Sequence, residues 1–389
     1  MTRQAASAFG PAYGFGAYIH WPFCTRICPY CDFNVYAAKS RDPSGLLAAM
    51  QADIAAQHLQ LSDHPPLDSI FFGGGTPSLL TGAQIELLIA SLDQSFGLSP
   101  TCEITLEANP NNIDQAKAND WKRAGINRLS IGLQSLDDTA LAFLGRDHNA
   151  DDARRAVSVA LDLFASVSID MIYARPEQTP SAWEAELRAA LALGAQHLSL
   201  YELTIEPATV FGKRTARGEL TPLPDSNQAE LYELTDEITQ AAGLPAYEIS
   251  NHAISARHRS IHNQIYWRSG DWLGIGPGAH GRLTRDGERL ALHAADRPAD
   301  YIADQTPQTS VLTSEDTAHE MLAMGLRPVD GVPRARIEQQ FAAQLDDSKL
   351  AHLIDGGWLN TANEQLSLSP KGRLLADRVT FEIANTLDS

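Results

Sequence analysis

Six short β-rich runs alternate with amphipathic helical stretches over the first half of this chain, and this alternation restricts its fold more than any other feature. Each run is rich in Ile, Leu, Val and Phe and is bounded by Gly, Pro or Asn, which is typical of strands. Regular alternation predicts a parallel sheet with right-handed crossovers, and six units predict an incomplete (β/α) barrel of the α/β class. The predicted strands are Ala17–His20, Ser69–Phe72, Glu103–Glu107, Arg128–Gly132, Val167–Tyr173 and His197–Tyr201.

The remaining sequence predicts helices and a change of architecture towards the C-terminus. Apolar residues recur at intervals of three and four in each predicted helix. From about residue 309 the pattern is mainly helical, with a small hairpin before a helix near Pro370, which suggests a winged-helix-like domain. The sequence thus predicts four parts: a lead-in over 1–16, a barrel over 17–225, a barrel extension over 226–308 and a helical domain over 309–389. The predicted helices are Gly45–Leu61, Gly82–Phe96, Asp114–Ala124, Asp151–Phe164, Ser181–Leu193, Ser226–Ala242, Ser314–Leu326, Pro333–Gln344 and Asp347–Ile354.

The charge balance and the N-terminus narrow the function classes. The 389 residues carry 30 Lys and Arg against 48 Asp and Glu, a formal charge of −18. Such a chain repels phosphate backbones, so we expect no nucleic-acid partner, even for a winged-helix-like domain. No apolar run has the length of a transmembrane helix, and the first sixteen residues lack the apolar core of a signal peptide. We therefore expect a cytoplasmic protein.

Three of the four cysteines lie in one loop after the first predicted strand. Cys24, Cys28 and Cys31 have the spacing C-x3-C-x2-C. Thiolates ligate iron–sulfur clusters, and three of them would leave one iron of a [4Fe–4S] cube open to a small molecule. The alternative is a zinc site with His20 as fourth ligand, although structural zinc usually uses pairs of cysteines. The fourth cysteine, Cys102, is expected to be an ordinary core residue.

Other polar features also fall at the C-terminal ends of the predicted strands, where active sites of βα barrels form. Gly73-Gly74-Gly75-Thr76 follows the second strand and offers a backbone that a ligand can approach closely. Glu107 ends the third strand, Gln134 follows the fourth, Asp170 lies in the fifth and Thr204 follows the sixth. On position alone, Glu107 could equally be a solvated strand end.

The cysteine spacing with Tyr30 before the last cysteine resembles the signature of the radical S-adenosylmethionine (SAM) superfamily. The resemblance covers roughly residues 17–210 and implies that SAM chelates the open iron, where one electron splits it into methionine and a 5′-deoxyadenosyl radical. It also implies that Gly74, Gly75 and Thr76 bind the SAM ammonium group and that Arg146 pairs with the SAM carboxylate. The further SAM-binding positions that the resemblance implies are Glu107, Gln134 and Asp170, together with Tyr18, Tyr30 and Thr204.

One loop departs from the pattern of these relatives. They usually carry Gly-Leu-Pro-Gly-Gln after Asp-x-Ile-Tyr, whereas this chain has Ala174-Arg175-Pro176-Glu177-Gln178 after Asp170-Met171-Ile172-Tyr173. Two glycines are thus replaced by bulkier residues. The departure puts the local loop geometry in question and leaves the cluster assignment unaffected.

Two further stretches resemble the group of oxygen-independent coproporphyrinogen III oxidases and their haem-chaperone branch. They are His197–Pro207 and Gly274–His280. The oxidases carry a longer N-terminal extension and a further cysteine two residues after the third, and neither feature is present here. His262-Asn263-Gln264-Ile265-Tyr266-Trp267 resembles the H-N-x-x-Y-W haem-binding motif of that branch, which implies haem contact by His262, Asn263, Tyr266 and Trp267. Five His and seven Arg lie between Asn251 and Arg297, and imidazole can ligate haem iron while Arg can pair with propionates.

Two functions from different classes therefore stay open. The first is a haem chaperone that binds the cluster, SAM and haem and delivers haem to acceptor proteins, for example of the respiratory chain. The second is an enzyme that decarboxylates coproporphyrinogen propionates. The resemblance favours the chaperone, without oxidase activity. It also implies two partners besides the haem proteins: an electron donor to the cluster and, as a candidate, a second copy of the chain.

Overall fold

The protein is described here by a computed structural model that covers residues 7–38, 44–61, 63–341 and 344–387. Residues 1–6 of the predicted lead-in, 342–343 in the predicted helix Pro333–Gln344, and 388–389 of the predicted C-terminal domain lie outside these ranges. The strands are β1 (Phe15–Trp21), β2 (Phe23–Cys24), β3 (Tyr36–Ala37), β4 (Leu67–Gly74), β5 (Leu98–Ala108), β6 (Arg128–Gln134), β7 (Ser166–Tyr173), β8 (His197–Glu202), β9 (Asn251–Ala253), β10 (Asp271–Ile275), β11 (His280–Arg285), β12 (Glu288–His293), β13 (Gln308–Val311), β14 (Val332–Pro333), β15 (Leu359–Asn360) and β16 (Gln365–Leu368).

The helices alternate with the strands in the first half of the chain and dominate the last quarter. Several begin at side-chain caps that the sequence supplies, such as Thr81 with Gln84 and Asn149 with Asp152. They are α1 (Ser44–Gln60), α2 (Gly82–Phe96), α3 (Gln115–Arg123), α4 (Asp138–Phe143), α5 (Ala150–Leu163), α6 (Pro180–Leu191), α7 (Val210–Ala216), α8 (Asp225–Ala241), α9 (Ile261–Trp267), α10 (Pro298–Ala303), α11 (Ser314–Gly325), α12 (Arg334–Phe341), α13 (Asp347–Asp355), α14 (Pro370–Arg373) and α15 (Ala376–Leu387).

Eleven strands form one mixed sheet in the order β13-β12-β11-β10-β1-β4-β5-β6-β7-β8-β9. The six predicted strands are its central run β1-β4-β5-β6-β7-β8, and every neighbouring pair in that run is parallel. Parallel neighbours with a helix in each crossover are the arrangement that the alternation predicts. The sheet does not close, so the predicted partial (β/α)6 barrel is confirmed.

Strand β10 adds to the sheet on the other side of β1 and runs parallel to it. Strands β11 to β13 continue the sheet beyond β10 as an antiparallel meander. The sequence prediction missed β10 because its partner β1 lies some 250 residues away. It also missed β11 to β13, although these pair with near neighbours and Asp286-Gly287 offered a turn signal between β11 and β12. It also missed α4, α7 and α9, which are only six or seven residues long and give little periodicity.

The molecule has a large hydrophobic core under the sheet and a smaller one in the C-terminal part. The large core packs the sheet against the crossover helices and includes Trp121 and Trp183, both fully buried. Cys102 is buried in this core, as the sequence predicts. The small core joins α11, α12, α13 and α15 to the hairpin of β15 and β16, and Ala8 and Phe9 from the N-terminus complete it. The mainly helical C-terminal domain is therefore present as predicted.

Candidate functional site

A cavity of about 660 Å³ opens at the C-terminal ends of the parallel strands. It descends into the interior of the partial barrel, because its wall includes residues near the beginnings of β6 and β8 as well as loops at the rim. All the predicted cluster and SAM residues line it, and so do three of the four residues predicted to contact haem. The predicted residues that line it are Tyr18, Cys24, Cys28, Tyr30, Cys31, Gly74, Gly75, Thr76, Glu107, Gln134, Arg146, Asp170, Thr204, His262, Asn263 and Tyr266.

The cysteine loop forms one wall of the cavity mouth. Cys24 is buried at the end of the short strand β2, and Cys28 and Cys31 are half-buried. Burial most of all, and then the neighbouring thiols Cys28 and Cys24, raise the pKa of Cys31 to about 11. The three thiols thus lie close enough to influence one another electrostatically. Because a cysteine binds iron as its thiolate, metal binding here would release protons.

The glycine-rich turn after β4 packs tightly against the cysteine loop. The backbone N–H of Gly75 donates to the carbonyl of Trp21 at 2.7 Å, and that of Thr76 donates to the carbonyl of Phe23 at 2.9 Å. A Cβ on Gly75 would lie 2.8 Å from the Phe23 carbonyl oxygen and 3.0 Å from the Cys24 sulfur. A side chain at this position would therefore push the cysteine loop away, and the glycine is needed for this close approach.

Arg146 connects the cysteine loop to the opposite wall. Its Nη1 donates to the Cys28 sulfur at 3.4 Å, and its Nη2 donates to the Gly132 carbonyl at 3.0 Å and to the Asn109 side chain. Its Nε is buried without a hydrogen-bond partner among the described residues. A buried guanidinium with an unused donor, facing a cavity and paired with no carboxylate there, is suited to bind an anionic ligand group.

Two carboxyl groups face each other deeper in the cavity. Burial, and next the charge of Asp170, raise the pKa of Glu107 to about 8, while the backbone N–H of Gly74 donates to its carboxylate. Burial also raises the pKa of Asp170, which accepts hydrogen bonds from Ser130 at 2.9 Å and from Ser168 at 3.2 Å. Because both groups are poorly solvated, a cationic or hydroxyl-bearing ligand would be bound favourably between them.

Gln134 adopts a strained backbone at the point where β6 ends. Its φ is +66°, and the pairing of β6 with β7 shifts register between Gly132 and Gln134. A non-glycine residue in the left-handed region is uncommon and often marks a functional position. Here the bulge turns the Gln134 side chain into the cavity wall.

Helix α9 places part of the predicted haem motif at the inner end of the cavity. The His262 ring is buried against Phe71, with its Nδ1 2.8 Å from the Ser69 hydroxyl and its Nε2 2.6 Å from the Tyr266 hydroxyl. Burial lowers the pKa of His262 to about 3, so the ring is neutral. Asn263 and Tyr266 line the cavity as well, whereas Trp267 does not and packs against Tyr247 on the other side of the helix.

The structure also shows cavity residues that the sequence prediction missed. Ser130, Ser168, His197, Ser199 and Tyr201 line the inner part of the cavity. Side chains of a strand alternate between its two faces, so residues two apart share a face. Ser168 lies two residues before Asp170 on β7, and this spacing could have identified it. The same rule places His197, Ser199 and Tyr201 on one face of β8, and Ser130 on the same face of β6 as Gly132.

The zinc alternative is not supported by this arrangement. Both ring nitrogens of His20 are engaged, one with the Tyr18 hydroxyl at 3.0 Å and one with the Asn34 carbonyl at 2.9 Å. Within the described ranges, no three His, Cys, Asp or Glu side chains are arranged to hold a single metal ion. A four-iron cube instead needs separate thiolates at separate corners, which suits three thiols around a cavity mouth.

Comparisons with known proteins identify the family. The radical SAM superfamily model matches residues 18–190, and the HemN C-terminal domain model matches residues 312–375. The haem chaperone HemW of Bacillus subtilis is 34% identical over 93% of this chain and 97% of its own length. The chain belongs to the HemW family of radical SAM proteins. Escherichia coli HemW is 34% identical over 92% of this HemW-family chain and 94% of its own length.

This chain also has relatives in eukaryotes, and it shares its fold with a known enzyme. The mitochondrial radical SAM domain-containing protein 1 of Danio rerio is 33% identical over 97% of this chain and 89% of its own length. Coproporphyrinogen III oxidase HemN of Escherichia coli, a radical SAM enzyme, has the same fold, with a TM-score of 0.78 at 21% identity over 97% of this chain and 91% of its own. The cofactors of this HemW-family chain are those of its family, a [4Fe–4S] cluster and SAM, with haem as the ligand named for the chaperones.

Proposed function

We propose that this protein binds a [4Fe–4S] cluster, SAM and haem and delivers haem to acceptor haem proteins. The observation that supports it best is the single cavity, which three thiols, the predicted SAM residues and the His262 face of α9 all line. Cys24, Cys28 and Cys31 thus line the same cavity as His262, Asn263 and Tyr266 of the haem-like motif, which supports the proposal. Relatives named haem chaperones, at 34% identity over nearly the whole chain, support the same function.

In this proposal, the residues of the cavity mouth hold the cluster and SAM. Cys24, Cys28 and Cys31 hold three irons, and the fourth is left to SAM. When bound, the cluster and SAM supply one-electron chemistry at the SAM sulfonium. The Gly74–Thr76 backbone would hold the SAM ammonium group, and Arg146 would hold the SAM carboxylate. The remaining polar contacts would come from Glu107, Gln134 and Asp170, with Tyr18, Tyr30 and Thr204 around them.

The test of the cluster is chemical analysis of the anaerobically reconstituted protein. We expect stoichiometric iron and acid-labile sulfide and an EPR signal after reduction. Cys24→Ser, Cys28→Ser and Cys31→Ser should each abolish the cluster and leave the helical content unchanged, because each removes one thiolate and no core packing. Zinc without sulfide in the wild type, or full iron and sulfide in all three variants, would contradict the proposal.

Haem binding through His262 Nε2 would break the hydrogen bond between this ring and the Tyr266 hydroxyl. The ring is neutral, as a metal ligand must be, but Nε2 can reach an iron only if it leaves the Tyr266 hydroxyl. A typical hydrogen bond contributes about 1 kcal/mol, which is roughly a five-fold change in affinity. Tyr266→Phe should therefore strengthen haem binding several-fold in a Soret titration, and His262→Ala should weaken it. Equal haem affinity in all three proteins would exclude His262 as the ligand.

The oxidase is separated from the chaperone by turnover. Reconstituted protein with SAM, a reductant and coproporphyrinogen should form no protoporphyrinogen at a catalytic rate if the protein is a chaperone. Catalytic formation would replace the proposal by the oxidase function.

We further propose a role for each part of the chain. Residues 17–225 hold the cluster and SAM, residues 226–308 contribute the haem contacts, and residues 309–389 serve partner binding.

The partners and the location follow from the same proposal. An electron donor would reduce the cluster, and a second copy of the chain is a candidate partner for dimerisation. None of the described helices has the length and apolar character to span a bilayer. The cytoplasmic location stays a prediction, because the relatives include bacterial chaperones and mitochondrial proteins.

A further inference from the structure

A second, smaller recess lies on the outer side of α9, away from the cavity. This recess, which we name the arginine cleft, has a volume of about 50 Å³. It separates α9 and the residues before it from the segment between α11 and α12. Its lining includes the following six residues: Tyr247, Arg259, Trp267, Arg268, Asp330 and Arg336.

The positive charge in the arginine cleft exceeds the negative charge. Arg259 pairs with Asp330 at 3.2 Å and lies over the Tyr247 ring. Within the described ranges, the Arg268 guanidinium donates only to the neutral side chain of Gln264, at 2.9 Å. Among the described residues, three guanidinium groups in this cleft thus face one carboxylate.

Arg336 is the most enclosed of the three guanidinium groups. It donates to two backbone carbonyls, that of Ala8 at 2.6 Å and that of Arg268 at 2.7 Å, and its guanidinium lies 3.7 Å above the centre of the Tyr13 ring. Burial, and further the charge of Arg268, lower the pKa of Arg336. In a chain of formal charge −18, Arg268 and Arg336 form a local excess of positive charge, because the Asp330 carboxylate of the cleft pairs with Arg259.

We propose that the arginine cleft binds an oxyanion, namely the carboxylate or phosphate group of a ligand. A cavity needs a volume of about 10–15 Å³ to hold one water molecule. The arginine cleft, with a volume of about 50 Å³, can therefore hold a group of a few heavy atoms. Planar guanidinium groups suit the paired oxygens of such anions, and a bound anion would offset the repulsion between Arg268 and Arg336. Trp267 and Tyr247 would shield these contacts from water on the inner side.

Two sources could supply this oxyanion. One is a propionate of a haem bound on the outer face of α9, a second position separate from the cavity where His262 lies; this source rests on the proposed function in that the protein binds haem. The other is a free phosphate or a small phosphate ester, which does not depend on haem at all. The site chemistry is the same for both, so the experiment has one arm for each.

The first arm titrates inorganic phosphate into the full-length protein by calorimetry at constant ionic strength. Arg268→Gln removes one exposed guanidinium that holds only Gln264, so it should fold normally and bind about ten-fold more weakly. Asp330→Asn removes the competing carboxylate and should bind more tightly, a gain that a purely structural role would not produce. The control is Arg285→Gln, the same charge change at an exposed residue outside the cleft, and it should bind like the wild type.

The second arm compares haem with haem dimethyl ester, whose carboxylates are blocked, in Soret titrations. If the cleft takes a propionate, wild type binds haem about ten-fold more tightly than the ester, and Arg268→Gln loses this difference. If only phosphate binds in an Arg268-dependent way, the cleft is confirmed with a phosphate source, and absent haem binding then counts against the proposed function alone. The proposal is overturned if neither phosphate nor the haem carboxylates show any dependence on Arg268.

Discussion

Glu177 is expected to destabilise the protein through its backbone, and replacing it with glycine should raise the free energy of unfolding. Its φ is +62°, and its side chain is exposed at the loop after β7. The left-handed conformation costs a non-glycine residue about 1–2 kcal/mol, whereas glycine adopts it without this cost. Glycine also loses more conformational freedom on folding, by about 0.5–1 kcal/mol. The net gain for Glu177→Gly is therefore about 0.5–1 kcal/mol.

Ala174 provides an internal comparison, because it has the same kind of backbone in a buried position. Its φ is +56° and its methyl group packs in the core. Ala174→Gly relieves the same strain but removes a buried carbon worth about 0.8 kcal/mol. The two effects nearly cancel, so we expect little change in stability. The two positions have the same backbone and differ mainly in burial.

The assay is urea unfolding followed by circular dichroism, with Glu177→Ala as the matched control. Alanine removes the same side chain but keeps the left-handed strain, so its free energy of unfolding should stay within about 0.5 kcal/mol of wild type. If Glu177→Gly and Glu177→Ala behave alike, the exposed side chain matters and the backbone argument is refuted. A loss of stability in Glu177→Gly would refute it as well.

Three further predictions concern the site and the core. Gly75→Ala should strongly lower the iron and sulfide content of the reconstituted protein, because the new Cβ would displace the cysteine loop. The control Gly45→Ala, whose Cβ would meet no other atom within 4 Å, should keep the iron and sulfide content of the wild type. Burial and the charge of Asp170 raise the pKa of Glu107 from its ordinary 4.5 to about 8. The free energy of unfolding of the wild type should therefore fall as pH rises from about 4.5 through 8, because the folded state holds the proton more tightly than the unfolded state. Glu107→Gln should show a smaller change in the free energy of unfolding over this pH range. Arg175→Met leaves the Glu186 carboxylate buried without its ion-pair partner and should lower the free energy of unfolding in urea by about 3–5 kcal/mol. The control is Arg188→Met, which breaks an exposed ion pair on α6, the helix that carries Glu186, and should lower it by less than about 1 kcal/mol.

The central strands and the crossover helices could be predicted from the sequence because their signals are local. Residues 69–72 form part of β4 and Gly82–Phe96 is α2 with the predicted bounds, since periodicity and capping residues lie within each segment. The position of β10 beside β1 could not be predicted, because no local pattern encodes a partner some 250 residues away. The left-handed backbone of Gln134 was also hidden, since nothing in its side chain requires that conformation.

The residues of the candidate site likewise divide into those that the sequence predicted from local signals and those that it did not predict. The cysteines and the glycine-rich turn were found because several chemical groups stand together in the sequence. Ser168 could have been identified from its spacing to Asp170, whereas Ser130 and Ser199 lie on separate strands and meet Asp170 only through the register of the sheet. The arginine cleft was hidden for a related reason, since Arg336 lies in another domain from Arg259 and Arg268.

The place of β1 between β4 and β10 affects how the chain can fold during synthesis. When β1 and the five parallel strands that follow have left the ribosome, the side of β1 that will later pair with β10 still has free backbone donors and acceptors. That edge stays open until Asp271–Ile275 has been translated, so the nascent chain is exposed to mispairing and aggregation for much of its synthesis. Slow translation after residue 202 would lengthen this vulnerable period, whereas protection of the β1 edge by a folding helper would shorten it.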